Sequence, residues 1–254
     1  MSRPPRLRPR LPSRPTRSRR RQPRRKPPRP RPRATPRPDA RPGPSSADGP
    51  GDPPCLGLTG GIGAGKSAAL DAFARAGADV LSSDEVVHRL YARDDVRAAV
   101  AERFGSDVLD AGGEVDRATL GPRAFAQDGG IAFLEGLLHP RVAGERRRWM
   151  AERRSRHAGA PVLVCEVPLL FEAGLAGEFD AVLVVTAAED VRRARVAERG
   201  GGQDFDARAA RQWPEERKVA AADEVYVNDG DLDALRAWAD GVVRRYGGAG
   251  ASPG

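Results

Sequence analysis

The eight residues Gly60-Gly61-Ile62-Gly63-Ala64-Gly65-Lys66-Ser67 constrain the fold more than any other feature of the chain. Two glycines flank four residues and are followed by Lys and Ser, the pattern of a loop that wraps phosphate groups. Glycine lets successive backbone N–H groups turn inward and approach anionic oxygens closely. The helix that follows aims the positive end of its dipole at the same anion. In this pattern the lysine reaches the outer phosphates as a point charge and the serine hydroxyl ligates Mg2+. The loop needs a strand before it and a helix after it, and both are legible. Cys55 to Thr59 is a short strand-like run, and Ala69, Leu70, Phe73 and Ala76 recur at helical spacing. A chance glycine-rich turn would lack that setting. The phosphates of ATP are expected on Gly61, Gly63, Ala64, Gly65, Lys66, Ser67 and Ala68.

The remaining elements extend the same architecture. Gly77 stops the first helix and Asp79 to Leu81 starts a second strand. Ser82, with Glu85 three residues on, fits a capping box that opens the next helix. From there to about His157 the pattern is helical and charged, which reads as an inserted subdomain. Val162 to Cys165 and Ala181 to Val185 are unbroken apolar runs, and Glu224 to Val227 is a weaker fifth. Continuous apolar strands separated by helices imply a parallel sheet covered on both faces. The expected fold class is therefore α/β, a five-stranded parallel sheet flanked by helices.

Composition sets the boundaries. Residues 1–54 hold 16 Arg and one Lys against three Asp, a net +14, and 17 of the 23 prolines. The whole chain is +8, so the other 200 residues carry −6 and the domain itself is mildly acidic. The first 54 residues contain two Leu and no Ile, Val or aromatic residue. Such a segment cannot offset the entropy of ordering and is expected to be a disordered, polyproline-rich tail. An early start-codon assignment accounts for it as well as a functional basic arm does. Residues 55–247 then form the domain, with an insertion over about 84–157, a lid over about 192–212 and a disordered end at 248–254. No apolar run approaches the roughly 20 residues that span a bilayer. The two cysteines, Cys55 and Cys165, sit at or within apolar strands, so a reducing, cytoplasmic setting is expected and disulfides are not.

Three groups of residues join the loop as candidates. Asp84 lies just after the second strand, at the carboxyl end of which open α/β sheets bind ligands. N–H groups at a helix start keep such a carboxylate ionised and able to accept a hydroxyl proton. From position alone it also suits a surface carboxylate that complements a helix dipole. Glu166 ends the third strand, where an acid can organise a metal's water shell; an ordinary strand-end carboxylate is the simpler reading. Arg192, Arg193, Arg195 and Arg199 lie on one helix, and Arg208 and Arg211 on the next. Most are expected to be solvated, but the Gly200-Gly201-Gly202 break suggests a hinged flap that brings one or two onto a transferring phosphoryl group.

With these pieces assembled, the chain resembles the dephospho-coenzyme A kinase family from Leu56 to about Gly230. The resemblance rests on Leu58-Thr59-Gly60-Gly61-Ile62-Gly63 with Gly65-Lys66-Ser67, and on Val80-Leu81-Ser82-Ser83-Asp84. It continues through Gly113, Asp116-Arg117, Leu120 and Phe125, then Leu138-His139-Pro140. Val167-Pro168-Leu169-Leu170-Phe171-Glu172 is the most distinctive block. Arg208, Gln212, Glu216, Lys218, Ala222-Asp223, Asn228 and Gly230 close it. The resemblance implies a P-loop, nucleotide-kinase-like fold and phosphorylation of the ribose 3′-hydroxyl of dephospho-CoA by ATP. It implies Asp84 as base, Lys66 on the γ-phosphate, Ser67 and Glu166 at Mg2+, and Arg199 or Arg208 as lid cations. The helical insertion, Pro168, Leu169, Leu170 and Glu172 would receive the acceptor, His88 would touch it or simply cover the helix face, and His139 would shape the insertion. The chain departs from the family pattern at Ser82, where an acid is usual, and at Glu166, where Asp is usual. Its lid is also slightly short and glycine-rich.

The alternatives are another small-metabolite or nucleotide kinase of the same fold and a nucleic-acid-binding P-loop protein that uses the tail. The Pro168 to Glu172 and His139-Pro140 blocks weigh against the first. No nucleic-acid partner is expected beyond non-specific contacts of the tail. A GTPase is disfavoured because no guanine-reading Asn-Lys-x-Asp motif is apparent.

Overall fold

The computed structural model of the chain describes residues 52–155, 160–200 and 205–248. The expected tail lies outside them except for Asp52, Pro53 and Pro54. Residues 156–157 of the expected insertion, 201–204 of the expected lid and 249–254 of the expected C-terminal end also lie outside.

Among the described residues, five strands form one parallel sheet in the order β2-β3-β1-β4-β5. They are β1 (Cys55–Gly60), β2 (Asp79–Ser82), β3 (Leu163–Glu166), β4 (Ala181–Thr186) and β5 (Glu224–Val227). The expected five strands are all present in this sheet. All six residues of the central strand β1 are buried. The ladder starts one residue before β1, since the Leu163 N–H donates to the Pro54 carbonyl at 2.8 Å.

Because strand side chains alternate, the central strands must be apolar at every position to cover both faces. Leu56, Leu58, Val164, Leu183 and Val185 face one side, where α1 (Lys66–Arg75) and α9 (Leu232–Tyr246) supply Phe73, Leu235 and Val242. Each such Leu contributes about 1.5–3 kcal/mol by burial. Cys55, Cys165, Val182 and Val184 face the other side. There they meet four helices that the described residues form between β2 and β3: α2 (Ser83–Tyr91), α3 (Asp94–Phe104), α4 (Arg117–Ala126) and α5 (Gly130–Ser155). Val86, Leu90, Val96, Val100, Phe104 and Leu120 make their inner surface. Among the described residues, α6 (Glu189–Glu198), α7 (Phe205–Ala209) and α8 (Glu215–Ala221) lie between β4 and β5.

Both cysteines are buried free thiols with their sulfurs 3.7 Å apart. Contact with Cys55, and then burial, holds the Cys165 thiol well above its ordinary pKa. His139 is exposed beside Pro140 on α5 and is not packed inside the helical insertion. Among the described residues no helix is long and apolar enough to cross a membrane.

Candidate active site

β1 and β3 are neighbours, yet the chain leaves them in opposite directions across the sheet, β1 toward β2 and β3 toward β4. Their carboxyl ends frame the crevice where open α/β sheets take ligands. A cavity of about 430 Å3 opens there.

Its floor is the glycine loop. Gly63 and Gly65 have φ of 77° and 99°, a region that side chains with a Cβ rarely adopt. Space is equally restrictive: a Cβ on Gly63 would meet the Arg192 carbonyl oxygen at 2.4 Å, and one on Gly65 would meet Asn228 Nδ2 at 2.1 Å. No side chain caps the first turn of α1, which leaves its free N–H groups for an anion. Lys66 Nζ donates to the carbonyls of Gly60 and Gly61 at 3.2 and 3.3 Å. Burial holds the Lys66 pKa below the ordinary lysine value, while the nearby Glu166 charge works in the other direction.

The carboxylates come from the ends of two adjacent strands. Ser82 caps α2 by accepting the Glu85 N–H at 3.4 Å, and Asp84 is exposed in the first turn. The Ser83 hydroxyl donates to the Glu166 carbonyl at 2.6 Å, which ties the start of α2 to the end of β3. Asp84 and Glu166 therefore line the same cavity. Glu166 is only 5% exposed. Burial pushes its pKa up to about 7, against the pull of Lys66 and with the push of Asp84.

The remaining wall carries Pro168, Leu169, Arg199, Arg208, Arg211 and Gln212. Arg192 does not meet the expectation of solvation. It is 8% exposed, and its guanidinium donates to the carbonyls of Ala187 and Ile62 at 3.1 and 3.5 Å. α6 lies directly against the glycine loop, so the Arg192 side chain is turned onto backbone carbonyls and away from solvent. Arg195 donates to the carbonyls of Ala64 and Asn228, and Asn228 Nδ2 donates to Ala64 at 2.8 Å. Gln212 Oε1 accepts the Ile62 N–H at 3.0 Å.

Of the residues singled out in the sequence, Gly63, Gly65, Lys66, Ser67, Asp84, Glu166, Pro168, Leu169, Arg199 and Arg208 share this one cavity. Gly61 and Ala64 are buried within the loop, and Ala68 follows in α1. His88 is exposed one turn after Asp84 and is not among the lining residues. Leu170 is fully buried in the core. Glu172 turns away from the cavity to accept the Trp213 N–H at 2.6 Å. Sequence reasoning did not find the supporting roles of Arg192, Arg195, Gln212 and Asn228. Gln212 and Asn228 did fall in the closing block of the resemblance, but nothing in the sequence said what they touch.

Among the described residues no group of three His, Cys, Asp or Glu side chains gathers to hold a metal. The Ser67 hydroxyl and the Glu166 carboxylate are a small hard-oxygen set on one cavity. That set suits Mg2+, which keeps several waters and takes much of its coordination from substrate phosphates.

A phosphate loop on the central parallel strand, facing carboxylates and a wall of arginines, defines a P-loop phosphotransferase. The chain belongs to the dephospho-CoA kinase family, whose model matches residues 54–234. It is 42% identical over 194 residues to the dephospho-CoA kinase of Methylococcus capsulatus, covering 75% of this chain and 96% of that protein. It is also 42% identical over 191 residues to that of Mesorhizobium japonicum, covering 74% and 94%. A crystal structure of a Thermus thermophilus protein matches with TM-score 0.61 at 33% identity, covering 76% of this chain and 98% of that one. The dephospho-CoA kinase of Campylobacter jejuni shares the fold at 20% identity with TM-score 0.54, covering 76% and 96%.

Proposed function

We propose that the protein transfers the γ-phosphoryl group of ATP to the ribose 3′-hydroxyl of dephospho-CoA, the last step of coenzyme A synthesis. The observation that carries this reading is the single cavity bounded by Lys66, Ser67, Asp84, Glu166 and Pro168. The loop N–H groups and Lys66 hold the ATP phosphates. Asp84, at the cavity and open to solvent, accepts the 3′-hydroxyl proton as that oxygen attacks the γ-phosphorus and ADP departs. Arg199 and Arg208 face the transferring group, where cations stabilise its charge. Pro168 and Leu169 offer an apolar surface to the acceptor, and His88 extends that side along α2. Leu170 and Glu172 support this wall from behind.

Ser67, with Glu166 through water, would hold Mg2+. When bound, that ion neutralises charge on the β- and γ-phosphate oxygens. The working unit is 55–247, with the acceptor insertion over 84–157 and the lid over 192–212. Its free buried thiols suit the cytoplasm.

Purified full-length protein should release ADP from MgATP with dephospho-CoA and yield coenzyme A by mass spectrometry. Adenosine nucleotides and pantetheine compounds should not substitute. ADP release at an equal rate without dephospho-CoA would overturn the assignment.

A further inference from the structure

Behind the Pro168–Leu169 wall, two buried charges meet. Lys218, on α8, is 0% exposed, and its Nζ stands 3.3 Å from Glu172 Oε1. The same carboxylate oxygen accepts the Trp213 N–H. Among the described residues, neither Lys218 Nζ nor Glu172 Oε2 has a hydrogen-bond partner. A buried ion pair with unfilled hydrogen-bonding capacity is a poor source of stability, and apolar replacements of such pairs are often neutral or better. Neither side chain lines the cavity, so neither acts on a substrate by contact.

What the pair holds is a junction. The Trp213 ring stacks on Phe171 with centroids 5.4 Å apart and planes 9° from parallel. Trp213 therefore fastens to the acceptor-side segment through both backbone and ring. The preceding residue, Gln212, fastens to the phosphate loop at Ile62. Just upstream, Arg208 and Arg211 enter the cavity. Two consecutive residues thus link the loop, the arginines and the Pro168–Leu169 wall. The one anchor among them that depends on buried charge is Glu172 with Lys218.

We infer that Glu172 and Lys218 are a positioning pair, fixing Trp213 so that the arginine-bearing arm and the acceptor wall keep one geometry. This rests on phosphoryl transfer to dephospho-CoA. Removing the ammonium leaves the Glu172 carboxylate buried without its counter-charge, so it swings toward water and releases Trp213. The acceptor side should then loosen while the phosphate loop, fixed by its own glycines and by Arg192 and Asn228, does not.

The test is steady-state kinetics of the full chain at a temperature well below melting, with each substrate varied in turn. Lys218→Met should raise the KM for dephospho-CoA about tenfold while the KM for MgATP stays within about twofold. Adding Glu172→Gln to Lys218→Met removes both charges and leaves an amide oxygen for the Trp213 N–H. The dephospho-CoA KM of that double variant should return to within about threefold of wild type. A merely structural pair would lower the melting temperature without splitting the two KM values. That result, a parallel rise in both KM values, or a double variant no better than Lys218→Met would overturn the inference. If Lys218→Met does not fold, the double variant and Trp213→Leu, expected to raise only the dephospho-CoA KM, give the decision. A double variant that fails to fold would make the pair a folding requirement and also overturn it. Wild-type protein inactive on dephospho-CoA would instead defeat the proposed function, so the two failures are distinguishable.

Discussion

The floor and the far wall of the cavity are built by different means. The glycine loop is eight consecutive residues whose shape is set by their own backbone and then braced from outside by Arg192, Arg195 and Asn228. The far wall draws Pro168 and Leu169 from after β3, Arg199 from the end of α6, and Arg208 and Gln212 from around α7. Side-chain pairs hold it, among them Glu172 with Lys218 and Arg211 with Glu135. A loop of the first kind presents the same donors to every nucleotide. A wall of the second kind depends on several distant residues at once, and is where selectivity for one acceptor can be set or lost.

The largest expected effect lies on the floor. Lys66→Ala should slow turnover about a thousandfold or more, because the cation meets the charge that develops on the transferring phosphoryl group. Circular dichroism should remain native. Near-normal turnover would mean that the loop is not the phosphate site and that the contrast between floor and wall has no functional content.

Asp84→Asn should come next, with turnover down within the roughly hundred- to ten-thousandfold range of general-base assistance. The KM for MgATP should stay within a few fold, because the residue belongs to neither the loop nor its braces. If MgATP binding weakens in step with turnover, Asp84 serves the metal and not the acceptor proton.

Glu166 offers a test at the boundary between floor and wall, read as stability instead of rate. Its folded pKa, about 7, lies above the ordinary carboxylate value of 4.5. A raised carboxyl pKa favours the folded state only while the group is protonated. Its contribution is therefore full below about 4.5 and is lost as pH rises through about 7. The shift corresponds to about 3 kcal/mol. Ligand-free Glu166→Gln should thus gain on wild type in urea melts as pH rises from about 5 to about 8. Equal pH profiles for the two proteins would show that burial does not govern this carboxylate.

The smallest expected effect is none. Removing residues 1–51 should leave melting and turnover unchanged, because the ladder begins at Pro54. The cut should not extend through Pro54, whose carbonyl pairs with Leu163. Parallel loss of fold and activity in the 52–254 protein would give the tail a structural part that its composition does not support.

Much of the molecule was legible in advance because its causes are local. The glycine spacing named the phosphate loop, and unbroken apolar runs named the strands. Ser82 marked the start of α2, although only its half of the capping box forms. The placement of Asp84 and Glu166 followed from strand ends, since parallel strands bring their carboxyl ends to one edge. Charge roles were less legible. Arg192 and Arg193 are adjacent and chemically identical, yet one is buried against the Ile62 carbonyl and the other pairs in the open with Glu189 and Asp206. Glu172 and Leu170 share a block with Pro168 and Leu169 but face away from the cavity.

The sequence by itself determined what the backbone enforces within a few residues: the cradle, the strand and helix order, and the acids at strand ends. Only the tertiary structure decided which cations face the cavity, which brace the loop, and that Lys218 lies buried beside Glu172. The reason is physical. A glycine's φ or an apolar period is fixed by near neighbours, whereas the partner of a long charged side chain depends on which surfaces the fold brings within a few ångströms. Arg192 meets Ile62 across 130 positions of chain, a separation over which no local pattern carries information.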